Sequence, residues 1–172
     1  MGKAGSTLLK YKGVFDFDNL FETIYDWLLQ HGYEVQEKVF KHKIPTPKGA
    51  EQEIEWVAWK LVTHYIKYYF TIEFKIMDLK EVEIVKDDQK LTKSFAKIRI
   101  RITAEVRDDW QKIWQGSKFI ERLGWFFKSK LYFFDVAVLH EDKLAYRIYE
   151  LQSAIKASLD MESKYNAFER RW

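Results

Sequence analysis

Between positions 54 and 76 every second residue reads Ile54, Trp56, Ala58, Lys60, Val62, His64, Ile66, Tyr68, Phe70, Ile72, Phe74, Ile76. An apolar period of two is the mark of half-buried β structure, because successive side chains on a strand point to opposite faces. Lys60 and His64 interrupt the apolar set near its middle, which places a chain reversal there. Both arms keep their apolar residues at even positions, so the turn must hold an odd number of residues. A three-residue loop of Thr63, His64 and Tyr65 satisfies this. Such loops usually take Gly at a left-handed position. None is present here, so one long bent strand is the competing reading.

On the C-terminal side, Glu81–Val85 reads as a short strand and Asp87-Asp88-Gln89-Lys90 as a turn. Lys93–Arg107 is the cleanest strand of the chain. Its inner face is Ser94, Ala96, Ile98, Ile100, Ile102, Ala104 and Val106. Its outer face is Phe95, Lys97, Arg99, Arg101, Thr103, Glu105 and Arg107. A strand of this length must curve round something or project beyond the domain.

On the N-terminal side, residues 1–7 are small and polar and are expected to fray. Leu8–Phe15 reads as a strand. Asp16, Asp18 and Asn19 then supply helix-start chemistry, with Asn19 and Glu22 spaced as a capping box. Leu20, Phe21, Ile24, Trp27 and Leu28 recur at helical spacing, and Gly32 sits where a left-handed cap is needed. Tyr33–Lys43 follows as a strand with Tyr33, Val35 and Val39 on one face. The stretch Ile44-Pro45-Thr46-Pro47-Lys48-Gly49 then reads as a loop.

Past the sheet, Gly116-Ser117 starts a helix with the apolar stripe Phe119, Ile120, Leu123, Phe126, Phe127, Leu131 and Phe134. A last helix carries Leu144, Ile148, Leu151, Ile155 and Leu159 on one side. The expected architecture is a single α+β domain over residues 1–172, with 162–172 a second fraying tail. It has two layers: a curved antiparallel sheet of about five to six long strands, an N-terminal helix over about 19–31, and two C-terminal helices over about 117–134 and 141–160. In outline this resembles helix-grip proteins that carry lipids. The likeness is one of architecture, and no family motif carries it.

A chain of 172 residues is long enough to bury a sizeable core without staples. Cysteine is absent, which excludes disulfides and thiolate chemistry and suits a reducing, cytoplasmic setting. The formal net charge of +3 is too weak to announce a nucleic-acid partner. Two Asn, abundant Lys and Glu and 17% aromatic residues lean toward a thermophile-like composition. There is no apolar run of membrane-spanning length and no secretory signal. The start Met1-Gly2-Lys3-Ala4-Gly5-Ser6 fits the loose pattern for myristoylation, which many Gly-second chains do.

Residue types that carry chemistry are present without the spacing that chemistry needs. No two of His31, His42, His64 and His140 lie four apart on a helix. Glu51, Glu53 and Glu55 share a strand face, as do Glu81 and Glu83, but spaced acids on a strand ordinarily form its wet side. Nucleophile elbows and phosphate-binding glycine loops are missing. The sequence therefore points away from an enzyme, with no catalytic residue, cofactor or metal expected.

Two surfaces remain. One is the outer sheet face with Trp59, Tyr65, Tyr69, Lys97, Arg99, Arg101 and Arg107; the other is the aromatic excess of the 117–134 helix, including Trp125 and Phe133. The leading expectation is a structural or protein-interaction module, a subunit of a homo- or hetero-oligomer. The second is a helix-grip-like carrier of a hydrophobic small molecule or lipid, its cavity lined by Phe70, Phe74, Ile100, Phe126 and Phe127. RNA binding through the basic sheet face and peripheral membrane contact by the aromatic helix are the remaining alternatives.

Overall fold

The structure, a computed structural model, describes residues 2–46, 49–86, 89–108, 111, 117–126 and 139–161. Among these, β1 (Gly2–Phe15), β2 (Glu34–Thr46), β3 (Gly49–Leu61), β4 (Ile66–Lys86) and β5 (Gln89–Asp108) form the strands. The helices are α1 (Phe17–Gln30), α2 (Lys118–Phe126) and α3 (Asp142–Ser158). The five strands make one antiparallel sheet in the order β1-β5-β4-β3-β2, so the fold is the two-layer α+β arrangement expected from the sequence.

The central pair sets the faces. Ile72 opposes Ile102, Phe74 opposes Ile100 and Ile76 opposes Ile98 across β4 and β5. All six are buried, in one cluster with Leu20, Ile24 and Leu28 of α1 and Leu144, Ile148, Leu151 and Ile155 of α3. Both helices thus lie on the even-numbered face of β3, β4 and β5. Aromatic rings fill the seam: Phe17 stacks on Phe21 with centroids 4.6 Å apart, and Phe21 meets Phe74 in a tilted pair at 4.7 Å.

The stretch from 54 to 76 is a hairpin, not a bent strand. Leu61 opposes Lys67, and Val62 and Thr63 N–H both donate to the Ile66 carbonyl, at 3.0 and 3.1 Å. Thr63, His64 and Tyr65 form the loop, and no left-handed residue is used: positive φ among the described residues occurs at Gly32, Asp78 and Asp160. The Thr63 hydroxyl replaces the missing glycine. It accepts from the N–H of Tyr65 at 3.1 Å and of Ile66 at 2.9 Å, so the side chain closes the turn that backbone geometry would otherwise close.

Lys60 stands on the apolar face because it has a partner there. Its Nζ donates to the His31 carbonyl at the end of α1 at 2.7 Å and lies 5.9 Å from the Tyr33 ring centroid. A cation at a helix C-terminus meets the negative end of the macrodipole. Gly32 follows with φ +75°, the left-handed cap a side chain would strain.

Several boundaries differ from the sequence reading. Residues 2–7 do not fray: they extend β1 and pair with β5 as far as Gly2 opposite Val106. A Cβ on Gly5 would come 3.2 Å from Ile148 Cδ1, so smallness there lets α3 press on the sheet. The cap of α1 is Asp16, whose carboxylate accepts from Asn19 N–H at 3.1 Å, rather than Asn19 itself. A bulge at Lys38 moves Val39 to the face opposite Val35. Strand β2 runs through Ile44, Pro45 and Thr46, which read as loop.

Strand β4 is continuous from Ile66 to Lys86, with Glu81–Val85 inside it. Its period is reset by a bulge between Met77 and Lys80, where Asp78 adopts φ 59°. Asp87 and Asp88 of the expected turn lie outside the described residues, and Gln89 and Lys90 already belong to β5. Helix α2 is described to Phe126, and the expected stretch 127–134 lies outside, as does 162–172. The last helix keeps its expected stripe, Leu144, Ile148, Leu151, Ile155 and Leu159, all buried.

Thr63→Ala should lower stability by about 1 kcal/mol, since two loop N–H groups lose their acceptor. Thr63→Ser should stay near wild type. Urea midpoints of the two variants measure this, and equal midpoints would remove the hydroxyl from the account.

Candidate interaction face

The face away from α1 and α3 is built from odd-numbered residues of β3, β4 and β5, and register fixes its rows. The middle row is uncharged: Ser6, Thr103, Thr71, Val57 and Gln36 run from β1 to β2. On one side lie Leu8, Arg101, Glu73, Glu55 and Val39, then Lys10, Arg99, Lys75, Glu53 and Lys41. On the other side lie Glu105, Tyr69, Trp59 and Glu34, then Arg107, Lys67 and Leu61.

The two charged rows frame a groove of about 450 Å³ whose lining comes from all five strands, including Lys10, Lys41, Lys75, Arg99 and Arg101 and the acids Glu53, Glu55 and Glu73. Lys75 Nζ pairs with Glu53 at 3.1 Å and Arg101 with Glu73 at 3.2 Å, both across neighbouring strands. A second depression of about 220 Å³ lies beside it, over Lys10, Lys12, Lys97 and Arg99 with Tyr11, Met77 and Ile98. Lys97 there pairs with Asp78 at 2.6 Å, the residue that makes the β4 bulge.

At the opposite end the rings are covered. The Arg107 guanidinium lies 3.6 Å from the Tyr69 ring centroid and Lys67 Nζ 5.1 Å from that of Trp59. Arg107 also pairs with Glu105 at 3.2 Å. These cation–π contacts occupy the ring faces that a stacked base would need.

Of the residues named from sequence, Trp59, Tyr69, Lys97, Arg99, Arg101 and Arg107 share this face. Tyr65 does not: it sits in the hairpin loop, partly buried against the core. Trp125 is on α2, 69% exposed, and Phe133 lies outside the described residues. For the proposed cavity, Phe70, Phe74 and Ile100 come together as fully buried neighbours in the core. Phe70 meets the ring of Tyr33 edge-on at 5.2 Å. Phe126 is exposed on α2, and Phe127 lies outside the described residues. Sequence reasoning missed Lys10, Lys75, Glu53 and Glu73 as groove residues and Lys12 as a residue of the second depression. The alternation of Lys10 and Lys12 along β1 was the available signal.

A second polar constellation ties the helices to the sheet. The Tyr68 hydroxyl hydrogen-bonds Nδ1 of His140 at 2.8 Å. Glu150 pairs with Arg147 on its own helix and approaches His31 Nε2 at 3.8 Å. Burial pushes the Tyr33 phenol well above the usual range, with Tyr68 and Glu150 raising it further and Arg147 opposing. Burial also raises Tyr68. Among the described residues no group of His, Asp or Glu is placed to hold a metal ion, and no helix is long and apolar enough to cross a membrane. No protein-family model matches the chain, and no curated protein matches it in sequence.

The raised phenols make stability fall at alkaline pH. Near neutrality both states hold the proton and the shift contributes nothing to the slope. Above about pH 10 the unfolded chain releases it while the folded chain retains it, so the unfolded state binds fewer protons and stability drops as pH rises. Urea unfolding between about pH 8 and 11 should show this drop, and Tyr33→Phe should flatten it. A slope unchanged in Tyr33→Phe would exclude Tyr33 as its source.

Proposed function

We propose that this protein is a non-catalytic protein-interaction module and that its partner docks on the outer face of the sheet, away from α1 and α3. The carrying observation is the asymmetry of the sheet. One face is closed by α1 and α3, and the other presents a groove lined by all five strands, with no helix residue in its lining among the described residues. Grooved surfaces of mixed charge suit protein contacts, where complementary charge sets register and specificity.

The RNA reading is weakened by the covered rings of Tyr69 and Trp59. The carrier reading needs space between sheet and helices, where Phe70 and Phe74 are packed ring to ring with Tyr33, Trp27 and Phe21.

A benzophenone side chain placed at Thr103, in the uncharged middle row, should give a protein adduct on irradiation of cells that make the chain. The same group at Tyr146, exposed on α3, should give none. Adducts from Tyr146 alone would move the contact to the helix layer, and a nucleic-acid adduct from Thr103 would overturn the proposal.

A further inference from the structure

Lys10, Lys12 and Arg99 are exposed and carry no ion pair among the described residues, whereas Lys75, Lys97 and Arg101 beside them are each matched to an acid. Lys10 stands directly opposite Arg99 across β1 and β5, and Lys12 directly opposite Lys97. Arg99 also opposes Lys75 on its other side. Like charges directly opposite one another destabilise a sheet, so this ridge is electrostatically incomplete in the isolated chain. Lys10 and Arg99 line both outer-face depressions, which makes the ridge the divide between two adjoining hollows.

Resting on the interaction reading above, we infer that the ridge receives an extended acidic segment of a partner protein, lying along β1 and β5. Successive cation pairs on the ridge are two residues apart along the strands, about 6.6 Å. An extended polypeptide with an acid at every second residue repeats at that spacing, with its acids on one side. A nucleic-acid backbone fits less well for two reasons. It carries a negative charge at every nucleotide, and Glu53, Glu55 and Glu73 line the same groove. It also gains from stacking, and Lys67 and Arg107 already cover Trp59 and Tyr69. A polypeptide can place acids over β1 and β5 and neutral or basic residues over the acids of β3 and β4.

The test uses fluorescence anisotropy with a labelled alternating Glu-Thr peptide of about ten residues and a labelled oligouridine of equal length. Wild type is compared with Lys10→Glu/Arg99→Glu and with Lys118→Glu/Arg122→Glu on α2. Each double variant reverses two exposed cations, so the change in net charge is the same. The peptide should bind wild type, lose about tenfold or more on reversal of the ridge, and change less than about threefold on reversal of α2. Equal losses in both variants would reduce the effect to overall charge and overturn the inference. So would tighter binding of oligouridine than of peptide, or no peptide binding at all. Absence of peptide binding together with protein adducts from the Thr103 cross-linker would sink the acidic segment and leave the interaction reading standing. Absence of those adducts would sink the interaction reading itself.

Discussion

Everything in this molecule depends on the register of β4 against β5. Because side chains alternate, a slip of one residue would send Ile98, Ile100 and Ile102 to the wet side and Lys97, Arg99 and Arg101 into the core. Burying unpartnered cations is far more costly than exposing isoleucines, so the pairing has one acceptable solution. Once it is set, β1 and β3 add to its two sides, and α1 and α3 have a single apolar surface on which to bury their stripes.

The same constraint explains why the two sheet faces do different work. The inner face is satisfied by contacts within the chain, down to Lys60 reaching the end of α1. The outer face is only partly satisfied. At one end, cations lie over rings or beside acids; at the other, Lys10 and Arg99 face each other. Stability alone would favour an acid at one of these two positions.

Period two made the inner stripe of β5 legible, and parity alone located the loop at 63–65. What escaped was whatever depended on a distant residue. Gly2 to Thr7 lacks an apolar pattern, and its place in β1 comes from pairing with β5 and from Ile148 pressing over Gly5. Asp16, Asp18 and Asn19 are equally good caps on paper, and stacking of Phe17 on Phe21 selects Asp16. The stretch Asp78-Leu79-Lys80 reads as a strand break because one bulged residue shifts the period without ending the strand. Arg99 could be placed on the outer face from its own strand, but its opposition to Lys10 required knowing that the first strand pairs with the last.

Strands β4 and β5 outrun their neighbours. Pairing with β3 ends at Leu79 and with β1 at Ser94, so beyond these points 80–86 and 89–93 have no strand partner but each other among the described residues. A lone two-stranded ribbon is marginally stable in water. Amide protons along the same two strands therefore belong to two kinetic populations. Those between Ile66 and Ile76 exchange only when the whole domain opens, while those past the left-handed bulge at Asp78 exchange whenever the ribbon parts. The bulge is the point at which a single pair of strands changes from core to fringe.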